Sequence, residues 1–427
     1  MKRLLFVVTV LMGTLHSPVA LFGQGRGAAA APSPDVAKDG RVTFRMRAPN
    51  AREVTVTGIG MPLAMTKDEQ GVWSVTTATP LAPDIYTYRF SIDGAMVLDP
   101  LNRDSFNGSS RLSVPGVPWT TDSPDIPRGT LATYRYESKL MAGTEEYIVY
   151  TPPGYDRNRR QPYPVFVVLH GLGGQANDWT GQGGVDRTLD GLIAHGTAVP
   201  MILVSPHAQG SGNAAAGFPA FTQALLTEIL PQVQRAYNAS TSRLDRAITG
   251  LSMGAAQSLL LLNHLDEFAW IGSFSPGFDM YDPGWGTGRG GGGAGGRAAA
   301  PPAPSAPAAP AAATPSVAPA LTGAGRGAGN GPAGSGGVRQ RAPLADGILA
   351  TLFPTLDARA NSQLKLLYIS CGTADDHLDL TRQFKAFLDA RKVHVSTYLE
   401  QPNAAHVWTF WRPQFVEMAQ MVFKTTK

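Results

Sequence analysis

Short runs of strict alternation open the readable part of the chain. Val42, Phe44 and Met46 alternate with Thr43, Arg45 and Arg47; Val54 and Val56 alternate with Thr55 and Thr57; Tyr86, Tyr88 and Phe90 alternate with Thr87, Arg89 and Ser91. A period of two puts every second side chain on one face, so these runs predict half-buried antiparallel strands. Asp93-Gly94, between two strand-like runs, is a hairpin signal. Residues 36–117 are expected to form a small β-sandwich. From about residue 130 the pattern changes. Continuous apolar runs at 165–169, 201–204, 247–249, 270–274 and 366–369, and a sixth strand over 393–399, predict strands buried on both faces. Helical stretches fall between them at 188–195, 220–237, 255–265, 378–391 and 414–423. This alternation predicts an α/β domain over 130–427, a mostly parallel sheet with helices on both faces.

Two stretches stand outside that pattern. Residues 286–341 are nearly all Gly, Ala, Pro, Ser and Thr, with no aromatic side chain. Such a segment buries too little apolar surface to offset its ordering entropy, so it is expected to be a disordered insertion within the α/β domain. At the start, Lys2 and Arg3 precede a mostly apolar run over 4–15, and small and polar residues follow from Ser17. That order is a secretory signal peptide, expected over 1–23. The apolar run falls short of the roughly 20 residues needed to span a bilayer. The expected location is outside the cell or in a periplasm, with no stable membrane anchor after cleavage.

Composition narrows the partners. A net charge of +4 over 427 residues, with no Lys/Arg run, gives no reason to expect nucleic-acid binding. Cys371 is the sole cysteine, so no intramolecular disulfide is available. It ends an apolar run, which suits a buried strand thiol rather than a nucleophile. No His/Glu cluster has metal-ligand spacing, and no cofactor is expected.

The chemistry concentrates at Gly250-Leu251-Ser252-Met253-Gly254. G-x-S-x-G is weak by itself, but here it lies between a strand-like run and a helical one. That context predicts a strained turn that lifts the Ser252 hydroxyl off the sheet edge and aims the first amides of a helix at a developing oxyanion. A serine hydroxyl needs a base. Of the histidines after Ser252, His264 ends the elbow helix, His377 reads as a loop residue, and His394 alternates within a strand. His406 follows the last strand in a loop before the C-terminal helix, where active-site residues of open α/β sheets sit, and is the expected base. The acid should leave the strand over 366–369. Asp375 and Asp376 both fit, and the pattern does not separate them. His170-Gly171-Leu172-Gly173-Gly174 after the first long strand is a glycine-rich loop suited to a second oxyanion donor.

These residues carry a family resemblance. Leu169-His-Gly-Leu-Gly-Gly174 with Asp178-Trp179, Arg246-Ala-Ile-Thr-Gly-Leu-Ser-Met-Gly254, Phe274-Ser-Pro-Gly277, Cys371-Gly-Thr-Ala-Asp375 and His406-Val-Trp408 with Trp411-Arg412 occur in order. The series resembles the esterase D and enterochelin-esterase-like α/β-hydrolases, a group that includes feruloyl and acetyl-xylan esterases. The resemblance implies Asp375 as the acid and backbone donors at Leu172 and Met253. Ala255 and Ala405 depart from it, standing where glycine is usual. Residues 36–117 resemble the early-set, immunoglobulin-like domains known as family 48 carbohydrate-binding modules, through Val42 to Ala51, Gly71 to Val75, Tyr86 to Phe90 and Asp99 to Asn102. Trp73 and the tyrosines then serve either as core or as a sugar platform, and the pattern leaves both open. The expectation is a Ser-His-Asp hydrolase acting on feruloyl or acetyl esters of plant polysaccharide. A siderophore esterase and a non-catalytic glycan-binding protein are the competing readings.

Overall fold

The computed structural model describes residues 31–117, 125–209, 220–282 and 341–424. The chain separates into two units at Pro32/Ser33, and the second, Ser33–Lys427, holds both the β-sandwich and the α/β domain. The leader expected at 1–23 lies outside the described residues, as does the insertion expected at 286–341 apart from Arg341. No described helix is long and apolar enough to cross a membrane.

Strands between Asp35 and Val114 form two facing sheets. One runs Asp35–Val36, Val42–Arg47, Val72–Thr76, Thr66–Lys67; the other runs Leu63–Ala64, Val54–Thr57, Asp84–Ile92, Ser109–Val114, Ser105–Phe106, with Ala95–Val97 on Asp84–Ile92. Alternation sets what is inside: Val42, Phe44 and Met46 are buried, while Thr43 and Arg45 are half-buried and Arg47 is exposed. The register places Met46 beside Trp73 and Val56 beside Phe90. Trp73, Tyr86, Tyr88 and Phe90 all lie in this core, so the aromatics are packing, not a sugar platform. Their polar ends are satisfied inside: Trp73 Nε1 donates to Ala48 O at 2.8 Å and the Tyr88 hydroxyl to Asp99 Oδ2 at 2.7 Å.

The second domain is built on an eight-stranded sheet in the order Thr130–Ser138, Gly143–Thr151, Ile202–Pro206, Val165–Leu169, Arg246–Gly250, Trp270–Phe274, Leu366–Gly372, Thr397–Gln401. Neighbours from Ile202–Pro206 onward are parallel. The alternate sides of each strand feed two separate cores. Val165, Val167 and Leu169 point into one; Phe166 and Val168 point into the other. Burying each such side chain contributes about 1.5–3 kcal/mol, which is why these runs are apolar throughout. Helices Val185–Ala194 and Trp408–Met421 cover one face, and Met253–Leu260 and Leu378–Ala390 the other.

Two features differ from the sequence pattern. The sheet begins with a nine-residue antiparallel ribbon, Thr130–Ser138 against Gly143–Thr151, that the hydrophobic pattern did not announce. Its outer strand is mostly exposed or half-buried, so it lacks an apolar stripe. The last strand is Thr397–Gln401 rather than 393–399. Val393 is buried beneath the preceding helix, and the His394 amide donates to Asn361 Oδ1, which spends the first residues of that run on a turn.

Candidate active site

Ser252 stands between the strand Arg246–Gly250 and the helix Met253–Leu260, with φ +54° and ψ −116°. That region is strained for a residue with a side chain and persists only when the surroundings enforce it. The surroundings do so. The Leu251 amide donates to Leu169 O, the Ser252 amide to Phe274 O, and the Gly277 amide to Ser252 O. A Cβ at Gly254 would lie 2.5 Å from Leu169 O and 2.6 Å from His170 O, and one at Gly250 would lie 2.4 Å from the Gly254 carbonyl carbon. Only glycine lets this turn close. Met253 opens the helix, so its amide has no carbonyl of a preceding turn to bond.

The loop after Val165–Leu169 packs directly on the serine. A Cβ at Gly171 would lie 3.3 Å from Ser252 Cβ. Residues 171–174 make a reverse turn closed by Gly174 N to Gly171 O, with Leu172 at its exposed corner. His170 is buried beneath it. Its Nε2 accepts from the Ala208 amide, so Nδ1 carries the proton and donates to Gly171 O. Burial, with His207 stacked alongside, pushes the ring down to about 3, which keeps it neutral. Gly173 N donates to Gln209 Oε1.

Asp375 and His406 come together because their loops are laced. Thr373 N and Ala374 N donate to Gln401 O and Ala404 O, and Asn403 N donates to Thr373 Oγ1. His406 Nδ1 then lies 3.0 Å from both Asp375 oxygens, with Asp375 fully buried. Burial alone would raise the Asp375 carboxyl, but the His406 charge and the hydrogen bonds from His377 and His406 hold it well below the usual carboxylate range. Asp376 does not touch His406 by a hydrogen bond; it pairs with His377 and Arg341. The His406 ring contacts Asp375, His377 and Trp411, and no hydrogen bond to Ser252 Oγ is among these contacts. A chain of contacts links the two loops. Gly277 bonds Ser252 and packs against His377, and Trp411, edge-on to His406, donates to Ser275 Oγ at 3.1 Å. Nucleophile–base hydrogen bonds are often long before substrate enters.

His377, which in sequence reads as a plain loop residue, is part of this cluster. It precedes the helix Leu378–Ala390, is buried, and stacks on His406 with ring centroids 4.4 Å apart. Its Nδ1 is 2.8 Å from Asp376 and 3.3 Å from Asp375. Burial opposes its charge, but the two carboxylates raise it to about 9. Arg341 closes the network by pairing with both Asp376 and Asp279. Asp375, Asp376, His377 and His406 are close enough to gather round a cation. Each is already paired with another member or with Arg341, so the cluster is a hydrogen-bonded and ion-paired network in its own right. Cys371, beside it, is buried and its thiol is pushed up by that burial, which suits a structural role.

Known proteins resemble parts of this chain. Residues 138–317 match the family described as "Putative esterase". An endo-1,4-beta-xylanase/feruloyl esterase of Xylanibacter ruminicola is 28% identical over 264 residues, 58% of this chain and 36% of that protein. Endo-1,4-beta-xylanase Y of Acetivibrio thermocellus is 30% identical over 141 residues, 30% of this chain and 13% of that protein. The chain therefore spans about a third or less of the length of these relatives. Among solved structures, the enterobactin esterase FES of Shigella flexneri, crystallised with enterobactin, superposes with a TM-score of 0.56 at 17% identity, covering 89% of this chain and 92% of that one. The shared fold is that of the α/β-hydrolase esterases, with an all-β region ahead of it.

Proposed function

We propose that this α/β-hydrolase of the esterase fold is a secreted or periplasmic serine carboxylic ester hydrolase that removes feruloyl or acetyl groups from plant polysaccharide. The observation that carries the reading is a serine held at φ +54° on a glycine-locked turn at a helix start, linked through Gly277 and His377 to a histidine whose Nδ1 is 3.0 Å from a buried carboxylate. Ser252 is the nucleophile, His406 the base and Asp375 the group that fixes the imidazole tautomer and stabilises its charged form. Ser252 Oγ adds to the ester carbonyl as His406 Nε2 takes its proton. The Leu172 and Met253 amides stabilise the oxyanion. The carbonyl re-forms, the alcohol leaves with the proton from His406, and the acyl group remains on Ser252. Water, deprotonated by His406, then repeats the sequence and releases the acid. No cofactor takes part.

The substrate class draws support from the feruloyl esterase named among the relatives. The enterobactin esterase covers the sandwich as well as the hydrolase domain, so a siderophore ester is the second reading. A panel of methyl ferulate, acetylated xylan and enterobactin with pure protein decides between them. Turnover of methyl ferulate or acetylated xylan, lost in Ser252→Ala, is the expected result. Turnover of enterobactin alone would replace the substrate assignment. Failure of wild type to show an acyl-enzyme burst with a p-nitrophenyl ester would favour a non-catalytic glycan-binding protein.

A further inference from the structure

We propose that the N-terminal sandwich is a working part of the active centre, with Asn107 positioning the oxyanion loop through Asp178. The inference rests on the oxyanion role proposed for Leu172. The sandwich strands Ser105–Phe106 and Ser109–Val114 form a hairpin whose two turn residues, Asn107 and Gly108, have φ +46° and +70°. That is the tight turn Asn-Gly favours. The turn reaches across to the hydrolase domain, where Asn107 Nδ2 donates to Asp178 Oδ1 at 3.2 Å.

Asp178 in turn grips the oxyanion loop. Its Oδ2 accepts from the Gln175 amide at 3.1 Å, and its own amide donates to Gln175 O. The fit is tight: a Cβ at Gly174 would lie 2.3 Å from Asp178 Oδ2 and 2.8 Å from His170 Nδ1. The loop carrying Leu172 is thus held on one side by His170 and Gln209, within the hydrolase domain. On the other side it is held by a carboxylate that the sandwich orients. The hairpin keeps its place by seating Phe106 against Gly181 and by donating from Arg111 to Gly181 O. Asn107 is therefore a positioning residue: it touches no reacting atom, but it fixes the carboxylate that fixes the loop. An oxyanion donor displaced by about an ångström is the kind of error that costs up to about 100-fold in rate.

The test uses the whole chain. Asn107→Gly keeps the positive-φ turn and removes the side chain with its amide. We expect faster amide hydrogen exchange at 171–178 with the rest of the hydrolase domain unchanged. For a p-nitrophenyl ester we expect kcat to fall about 10-fold, with KM within about twofold and Tm unaltered. Asn107→Asp should be worse, because two carboxylates then face each other. Combining N107D with D178N restores one N–H···O bond with its direction reversed, and should recover most of kcat. Unchanged exchange at 171–178 in Asn107→Gly overturns the proposal whether or not the protein hydrolyses esters. So does faster exchange with unchanged kcat, or a double variant no better than Asn107→Asp. A wild-type protein inactive on every ester would instead remove the functional reading, and the exchange result would still decide whether the hairpin holds the loop.

Discussion

Removing Asp84 should uncouple the two domains. Arg412, on the helix Trp408–Met421 that follows His406, is almost fully buried, with 1% of its side chain exposed; its partner Asp84, in the sandwich, has 6% exposed. The guanidinium also donates to Gln182 O and Ile85 O. In Asp84→Ala the arginine keeps those two neutral acceptors but loses its counter-charge. Breaking a buried pair by deleting one partner costs about 3–5 kcal/mol, because the remaining charge stays out of water. The two retained carbonyls argue for the lower end, about 3 kcal/mol. Burial already lowers Arg412 to about 10, a sign of how far desolvation competes with its partner. Urea unfolding followed by tryptophan fluorescence would read the effect, since Trp73 reports on the sandwich and Trp179, Trp408 and Trp411 on the hydrolase core. We expect the single variant to lose about 3 kcal/mol, and a double variant, D84L with R412M, to regain most of it, because apolar replacement of both partners is close to neutral. A loss under about 1 kcal/mol in Asp84→Ala, with an unchanged m-value, would refute the view that this pair binds sandwich to hydrolase.

Three further outcomes concern the site. Asp375→Asn should lower kcat by about 10⁴-fold with KM near wild type, since the amide favours the wrong imidazole tautomer; steady-state hydrolysis of p-nitrophenyl acetate reads it. Gly254→Ala drives a Cβ into the carbonyls of Leu169 and His170, which are backbone and cannot swing aside. It should cost about 1–3 kcal/mol in thermal unfolding and most of kcat, and a wild-type melt with wild-type turnover would contradict the elbow geometry. His377, raised to about 9 among Asp375, Asp376 and Asp279, with Arg341 and His406 alongside, contributes stability that is complete below its unfolded value of about 6.5. That contribution is lost as pH rises through about 9. The stability difference between wild type and His377→Gln should therefore shrink from about pH 6 to about pH 10, and a difference that grows over that range would reverse the assignment.

Much of the fold is legible in the sequence because its strands are buried on both faces, and apolar runs such as 165–169 admit little else. Ser252 is legible because close packing at 250 and 254 demands glycine on either side of it. Pattern does not fix the acid, since Asp375 and Asp376 are adjacent and both leave the same strand. The lacing of residues 373–374 to 401–404 separates them, pointing one carboxylate at His406 and leaving the other to Arg341. The role of His377 is hidden because a loop histidine carries no periodicity and, although Asp375 and Asp376 adjoin it, Asp279 and His406 reach it from distant parts of the chain. The domain junction is hidden for a related reason. Charged residues are rarely buried unless paired, so nothing local shows that Arg412 is enclosed, and its partner lies 328 residues away. Asn107-Gly108 signals a hairpin, but nothing nearby in sequence names Asp178 as what it reaches.

Mass spectrometry of the protein, quenched during the burst with p-nitrophenyl acetate and digested, tests the central claim most directly. The account predicts one acetyl group per chain on the peptide containing Ser252, absent from Ser252→Ala and accumulating when deacylation is slowed. A burst with the acetyl group on any other residue, or one that persists at full amplitude in Ser252→Ala, would contradict it.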